Sequence, residues 1–250
     1  MARIALISDI HANAEALERV LEQQRRIGAD TVVCLGDVVG YGPEPGRCIE
    51  LVYEHCDVCV LGNHDEALLL EHKEEAFNPK AREALRFTRD LLDDWHLTML
   101  RLMPDRATRH GVAFSHGSFG KARFDYLYTV ESAARSFAGF DERYGAVGHT
   151  HIPSIFTCAG DVAGRPADVR LLALAGSVRS RLPLDRRVIL NPGSVGQPRD
   201  RNPHASWGLL DTDEGWFEVH RVAYDIDSVG EKMLEAGLPD YHSRRLKIGA

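Results

Sequence analysis

Nowhere in this chain do apolar residues run for the roughly 20 positions that a membrane-spanning helix requires. With 44% hydrophobic and 27% charged residues in 250, the composition is that of an ordinary globular protein. The first apolar run, residues 4–7, follows a single Arg3 and passes at once into Ser8 and Asp9, too short for a secretory h-region, so a cytoplasmic protein is expected. Cysteine is scarce and odd in number. Cys34, Cys48, Cys56, Cys59 and Cys158 argue for reduced thiols over a disulfide framework. Cys56-x-x-Cys59 has no second ligand pair nearby and lies in an apolar stretch, so it reads as buried thiols, not a zinc site. Positive charge is also in deficit, with 30 Lys and Arg against 37 Asp and Glu, for a net charge of −7. Extended nucleic-acid binding, which draws on clustered cations, is thereby disfavoured, whereas a local positive site for a nucleotide is not.

The first third of the chain alternates strand and helix patterns. Residues 3–7 and 31–35 read as buried strands, and the helix between them, 12–27, carries Ala16, Leu17, Val20, Leu21 and Ile27 on one face. A helix at 45–54 and a third strand at 56–61 extend this βαβ unit, with parallel pairing and right-handed crossovers. From 66 to 103 the pattern is helical, broken at Asn78-Pro79, where Asn suits an N-cap and Pro the first helical position. Two helices forming a lid are expected there. Strands follow at 111–115, 144–147, 154–158, 169–174, 187–190, 207–210 and 216–222, with a helix at 129–137. Asp211 to Gly215 has hairpin chemistry, and 225–250 reads as one helix and a charged tail. The length suits a single α/β domain, residues 1–250, with a helical lid or cap at about 66–104.

Five segments at the ends of predicted strands concentrate potential ligands: Asp9-Ile10-His11, Gly36-Asp37, Gly62-Asn63-His64-Asp65, Ser115-His116-Gly117 and Gly148-His149-Thr150-His151. Carboxyl ends of strands in α/β sheets are where sites assemble. In an extended segment, residues i and i+2 point the same way, so each of Asp9-x-His11 and His149-x-His151 can serve one centre. Imidazole, carboxylate and amide oxygen without thiolate suit two divalent ions of the Mn, Fe, Co, Ni or Zn type, with Mn favoured, better than Mg. Singly, each segment is more often a cap or a surface histidine; their joint occurrence points to metal. Two such ions about 3.5–4 Å apart would activate a shared water and stabilise an in-line displacement at phosphorus.

These motifs resemble the signature of calcineurin-like metallophosphoesterases, and Asn191-Pro192-Gly193-Ser194-Val195-Gly196-Gln197-Pro198-Arg199 is similar to a loop of the small bacterial branch of that family. The resemblance implies an α/β fold of two mixed β-sheets packed as a sandwich flanked by helices, with a helical insertion after the third strand. It implies a dinuclear, metal-dependent hydrolase of phosphoesters, a phosphodiesterase or phosphatase, using a metal-bridging hydroxide. Asp9, His11 and His151 would bind one metal and Asn63, His116 and His149 the other, with Asp37 between them. His64 would touch substrate and act in catalysis, its ring held by Asp65. Asn63, His64 and Arg199 are the expected substrate contacts, with Arg123 and Arg201 as further phosphate candidates. Among Phe119, Phe124, Tyr126 and Tyr128 an aromatic platform competes with plain core packing. The expected partner is a small phosphoester, nucleotide or phosphoprotein. Alternatives are a serine/threonine protein phosphatase, a dinucleoside polyphosphate hydrolase or a non-catalytic metal-binding scaffold; oligomeric state is left open.

Overall fold

In β1 (Arg3–Ile7) Ile4 and Leu6 face one way, Ala5 and Ile7 the other, and all four are fully buried. A strand with two apolar faces must be covered on both. The computed structural model, which describes residues 2–162 and 165–250, meets this demand with two packed sheets and outer helices. One six-stranded sheet has the order β3 (Val58–Cys59), β2 (Thr31–Cys34), β1, β11 (Ala205–Asp211), β12 (Trp216–Val222), β9 (Val178–Arg181). The other runs β4 (Arg106–Arg109), β5 (Val112–Ser115), β6 (Tyr144–Ala146), β10 (Arg187–Asn191), β7 (Ser154–Val162), β8 (Arg165–Ala173). Both are mixed: β1, β2 and β3 pair in parallel, as do β5, β6 and β10, and the remaining ladders are antiparallel. This is the expected sandwich.

Between the sheets Ile4, Leu6, Val33 and Leu35 meet Val112, Phe114, Val188 and Leu190. Outside the first sheet, α1 (Ala14–Ile27) and α2 (Pro45–His55) bury Leu17, Val20, Leu21, Ile49 and Val52 against Ala5, Ile7 and Val32. α6 (Val130–Phe137) covers the second sheet through Ala133 and Phe137. No helix among the described residues is long and apolar enough to cross a membrane.

Departures from the sequence expectation fall at edges and ends. β4 and β9 were not anticipated; both are edge strands with exposed arginines, so they lack the apolar alternation that marks a strand. The third strand shrinks to Val58–Cys59, because the chain then leaves β2 to reach the loop at Gly62. The 66–103 region begins earlier and breaks more often. It contains α3 (Asn63–Leu69), a 3-10 turn (Glu71–Ala76), α4 (Pro79–Leu91) and α5 (Asp94–Arg101). Asn78 caps α4 as expected, its Oδ1 accepting from Ala81 N at 3.1 Å, and Asp93 caps α5 through His96 N at 3.0 Å. The C-terminus forms two helices, α7 (Ile226–Glu235) and α8 (Asp240–Ile248), split at Gly237, whose φ of 74° only glycine adopts freely. That pair packs with α4 and Tyr41 in one apolar cluster.

Phe114 is 0% exposed between the sheets, so Phe114→Ala should destabilise the protein by ~3–5 kcal/mol. A lowered midpoint in urea unfolding, followed by circular dichroism, checks this.

Candidate metal centre

Donor-bearing loops leave the carboxyl ends of β1, β2, β3, β5 and β6 on one side of the sandwich. They do not leave as extended segments. Asp9 (φ 54°), His11 (φ 49°), His149 (φ 65°) and His151 (φ 61°) all have left-handed backbones, as do Ala12, Asp37 and Tyr41. The expectation that i and i+2 share a centre through an extended segment is corrected: Asp9 and His11 reach one donor group through tight left-handed turns, whereas His149 and His151 divide between two groups. Among the described residues, only His110 and Arg201 of the other non-glycine positions share that conformation, so strain of about 1–3 kcal/mol per residue is concentrated at this site. Cross-loop hydrogen bonds oppose it, from Asp9 N to Gly36 O (3.0 Å), His11 N to Asp37 O (3.0 Å) and Ala12 N to Val38 O (2.9 Å). A side chain at Gly62 would put a Cβ 2.1 Å from Asp37 Oδ1, and one at Gly148 would put it 1.8 Å from Ser8 Oγ. Glycine is what lets these loops touch.

The donors form overlapping groups whose atoms lie within 4.8 Å of one another: Asp9, His11 and His151; Asp37, His116 and His149; and His11, Asp37 and His64. Asn63 joins the second group, its Oδ1 3.1 Å from His116 Nε2. The orientation of the histidines is informative. Backbone carbonyls face the Nδ1 atoms of His11 (Val39 O, 3.1 Å), His116 (Leu35 O, 2.8 Å) and His151 (Gln197 O, 2.6 Å). A carbonyl only accepts, so each Nδ1 carries a proton, which leaves the Nε2 of a neutral ring with its lone pair turned inward. His11 Nε2 and His151 Nε2 are 3.2 Å apart, and His116 Nε2 and His149 Nδ1 are 3.1 Å apart. For His11 and His151, whose rings burial keeps neutral, those are two lone pairs facing each other, an arrangement that a shared cation relieves. The donor set therefore fits divalent metal.

Electrostatics agree. Burial holds the His11 and His151 pKa values well below the usual imidazole range, and burial lowers that of His149 to about 3. For His116, burial is outweighed by the Asp37 charge, which raises the value to about 10, a measure of how strongly the cluster calls for positive charge there. Burial lifts Asp9 to about 6, aided by Asp37 and opposed by His116. Asp37 Oδ1 accepts from His64 N (2.9 Å), which aims Oδ2 at His116 Nε2 (3.3 Å) and His11 Nε2 (3.7 Å), between the two groups.

Asp65 does not hold the His64 ring, which corrects the expected catalytic pairing. Its Oδ2 accepts from Asp37 N (2.8 Å) and Gly62 N (3.0 Å), and its Oδ1 from Val38 N (3.0 Å) and Val39 N (3.2 Å). It clamps the two loops that carry Asp37 and Asn63. His64 is held by packing instead, its ring 4.9 Å from that of His11, 4.6 Å from Tyr41 and 4.7 Å from Phe77. Its buried Nδ1 has no hydrogen-bond partner among the described residues. Burial lowers the His64 pKa to about 4, so the ring is neutral near pH 7.

Above the donors lies a cavity of about 380 Å³ lined by Asp37, Asn63, His64, His149, His151 and Arg199, with Tyr41, Phe77, Phe124 and Tyr126 as its aromatic walls. Arg199 thus sits where a phosphate contact was expected. Arg123 does not line the cavity; its guanidinium is paired with Glu66 and Asp105. Arg201 is absent from the lining as well. The amides of the 191–197 loop are spent on the protein: Val195 N donates to Ser8 O (2.9 Å), Gly196 N to Asp9 O (3.0 Å) and Gln197 N to Ser194 Oγ (2.8 Å). That loop braces Asp9. Phe119 is core, 2% exposed. Sequence reasoning did not single out Tyr41 or Phe77; the glycines flanking Tyr41, so soon after Asp37, were the available signal.

A model of the calcineurin-like phosphoesterase superfamily domain matches residues 2–215. An uncharacterised protein of Methanocaldococcus jannaschii is 34% identical over 254 residues, covering 98% of each chain. The phosphodiesterase YfcE of Escherichia coli K12 is 26% identical over 224 residues, 85% of this chain and 89% of the relative. The crystal structure of a metallophosphoesterase from Sphaerobacter thermophilus is similar at 36% identity and TM-score 0.85, covering 100% of this chain and 99% of that one. Facing lone pairs that suit metal, strand-end loops that supply them and a match running from residue 2 to residue 215 agree: the chain belongs to the calcineurin-like phosphoesterase superfamily.

Proposed function

We propose that this metal-dependent phosphoesterase works with two divalent ions, Asp9, His11 and His151 holding one, Asn63, His116 and His149 the other, and Asp37 shared. The observation that carries the reading is the pair of buried Nε2 lone pairs of His11 and His151, facing each other at 3.2 Å. Imidazole, carboxylate and amide donors favour manganese, with iron, nickel, cobalt or zinc as alternatives. When bound, the metals lower the pKa of a water and neutralise the phosphoryl oxygens. The chain itself does the rest. Arg199 can take a phosphate oxygen as a fork-shaped cation. His64 presents the ring nitrogen that is not buried, Nε2, to the cavity for a hydrogen bond to the phosphoryl group or the departing alcohol. We take residues 1–250 as one catalytic unit, with 66–104 as its cap, because Lys73, Ala76, Phe77 and Asn78 line the cavity.

Asp37→Asn or His116→Ala should lower metal content and hydrolysis of bis-p-nitrophenyl phosphate together, as read by elemental analysis and absorbance. His64→Ala should lower the rate by about 100-fold or more with metal retained; metal loss in that variant would contradict its place outside the donor set. Asp65→Asn should behave as a loop lesion. Its amide group turns donors toward backbone N–H groups, so thermal stability and metal content fall with the rate, whereas loss of rate alone would restore Asp65 to a catalytic role.

A further inference from the structure

The cavity has rings on two separate segments. Phe77, just beyond the 3-10 turn, contributes one side, next to Tyr41 and His64. On the other, Tyr126 lines the cavity and stacks on His149 with ring centroids 3.9 Å apart and planes 16° apart, and Tyr128, outside the lining, continues the stack on Tyr126 at 5.3 Å and 6°. These two tyrosines keep 46% and 48% of their surface exposed. Their support is built: Ser118 N donates to Arg123 O at 2.8 Å and Asp125 N to Ala122 O at 3.0 Å, and a Cβ on Gly117 would come within 2.7 Å of Arg123 O. The segment is thus folded tightly back beside His116, with the Phe124 ring 6.0 Å from that of His116. Two parallel tyrosines left half-open beside the donor cluster offer a flat face on which a planar group can stack.

We propose, resting on the phosphoesterase reading above, that the substrates are nucleotide-type phosphoesters. The base lies against the Tyr126–Tyr128 stack while the phosphate sits over the donors. Every nucleobase has a π-face, so such a platform favours the class without selecting one base. The cations fit a small anion: Arg199 lines the cavity, whereas Lys73, also in the lining, is paired with Glu66 at 3.8 Å and Arg123 with Glu66 and Asp105. A cavity of about 380 Å³ on a chain of net charge −7 suits a mononucleotide unit better than a polymer track. A phosphoserine peptide would bring no ring to the stack.

Isothermal titration of the full chain reconstituted with manganese, using AMP, ribose phosphate and inorganic phosphate as probes, tests this. AMP is expected to bind about tenfold tighter than ribose phosphate. Tyr128→Ala, which removes the ring farther from His149, and Tyr126→Leu should each bring AMP down to the ribose phosphate level and leave inorganic phosphate unchanged. Equal binding of AMP and ribose phosphate by the parent protein, or a preference that survives both variants, overturns the proposal while sparing the phosphoesterase reading. A Tyr126→Leu variant that weakens all three probes equally also overturns it, by assigning that ring to the seating of His149. If the parent protein binds not even inorganic phosphate, the phosphoesterase reading fails and the proposal with it.

Discussion

The lone pairs of His11 and His151, turned toward each other at the floor of the cavity, set a condition that the surrounding structure must satisfy. Neutral imidazoles do not attract at that distance; something must hold the rings there until a cation enters. The holding groups are backbone carbonyls, Val39 O for His11 and Gln197 O for His151. Each carbonyl belongs to a loop whose own course is fixed elsewhere: the 37–42 loop by the Asp65 carboxylate, and the 191–197 loop by its bonds to Ser8 and Asp9. The donor cluster is thus assembled through its backbone scaffolding, and the left-handed turns at Asp9, His11, Asp37, His149 and His151 are tolerated because several loops bond one another at once.

Asp65 shows how one buried charge can organise a site without touching what enters it. Four amides from two loops end on its two oxygens and favour the carboxylate form, against burial and the Asp37 charge, which push its pKa up to about 7. His64, freed from a carboxylate partner, relies on three neighbouring rings for its orientation. That couples it to Tyr41, which in turn packs against His242 of the C-terminal helices, ring centroids 5.1 Å apart. The cap and the C-terminal hairpin therefore share one apolar cluster with the residue that buttresses His64.

Much of this was readable before any fold was known. Burial of both faces along residues 4–7 follows from an unbroken apolar run, and the helix at Asn78-Pro79 from capping chemistry that needs no tertiary partner. The donor residues Asp9, His11, Asp37, Asn63, His116, His149 and His151 were legible because their types recur at strand ends, and the family resemblance predicted the sandwich. The edge strands Arg106–Arg109 and Val178–Arg181 escaped notice because an edge strand keeps its charges in solvent and shows no core face. The break at Gly237 escaped because a helical tail with one glycine reads much like one without.

Sequence alone determined which side chains are available and near which strand ends they lie, since residue type and local periodicity are properties of short segments. Tertiary structure decided what each does. Asp65 is adjacent to His64 in the chain, yet its carboxylate turns to the amides of 37–39 and 62, because those donors are buried and have no water to satisfy them. Arg123 looked like a phosphate ligand until Glu66 and Asp105 were found beside it, and Arg199 differed from other arginines only once the 191–197 loop carried it into the cavity. Such roles depend on which groups compete for one donor, and competition exists only after distant segments have been brought together.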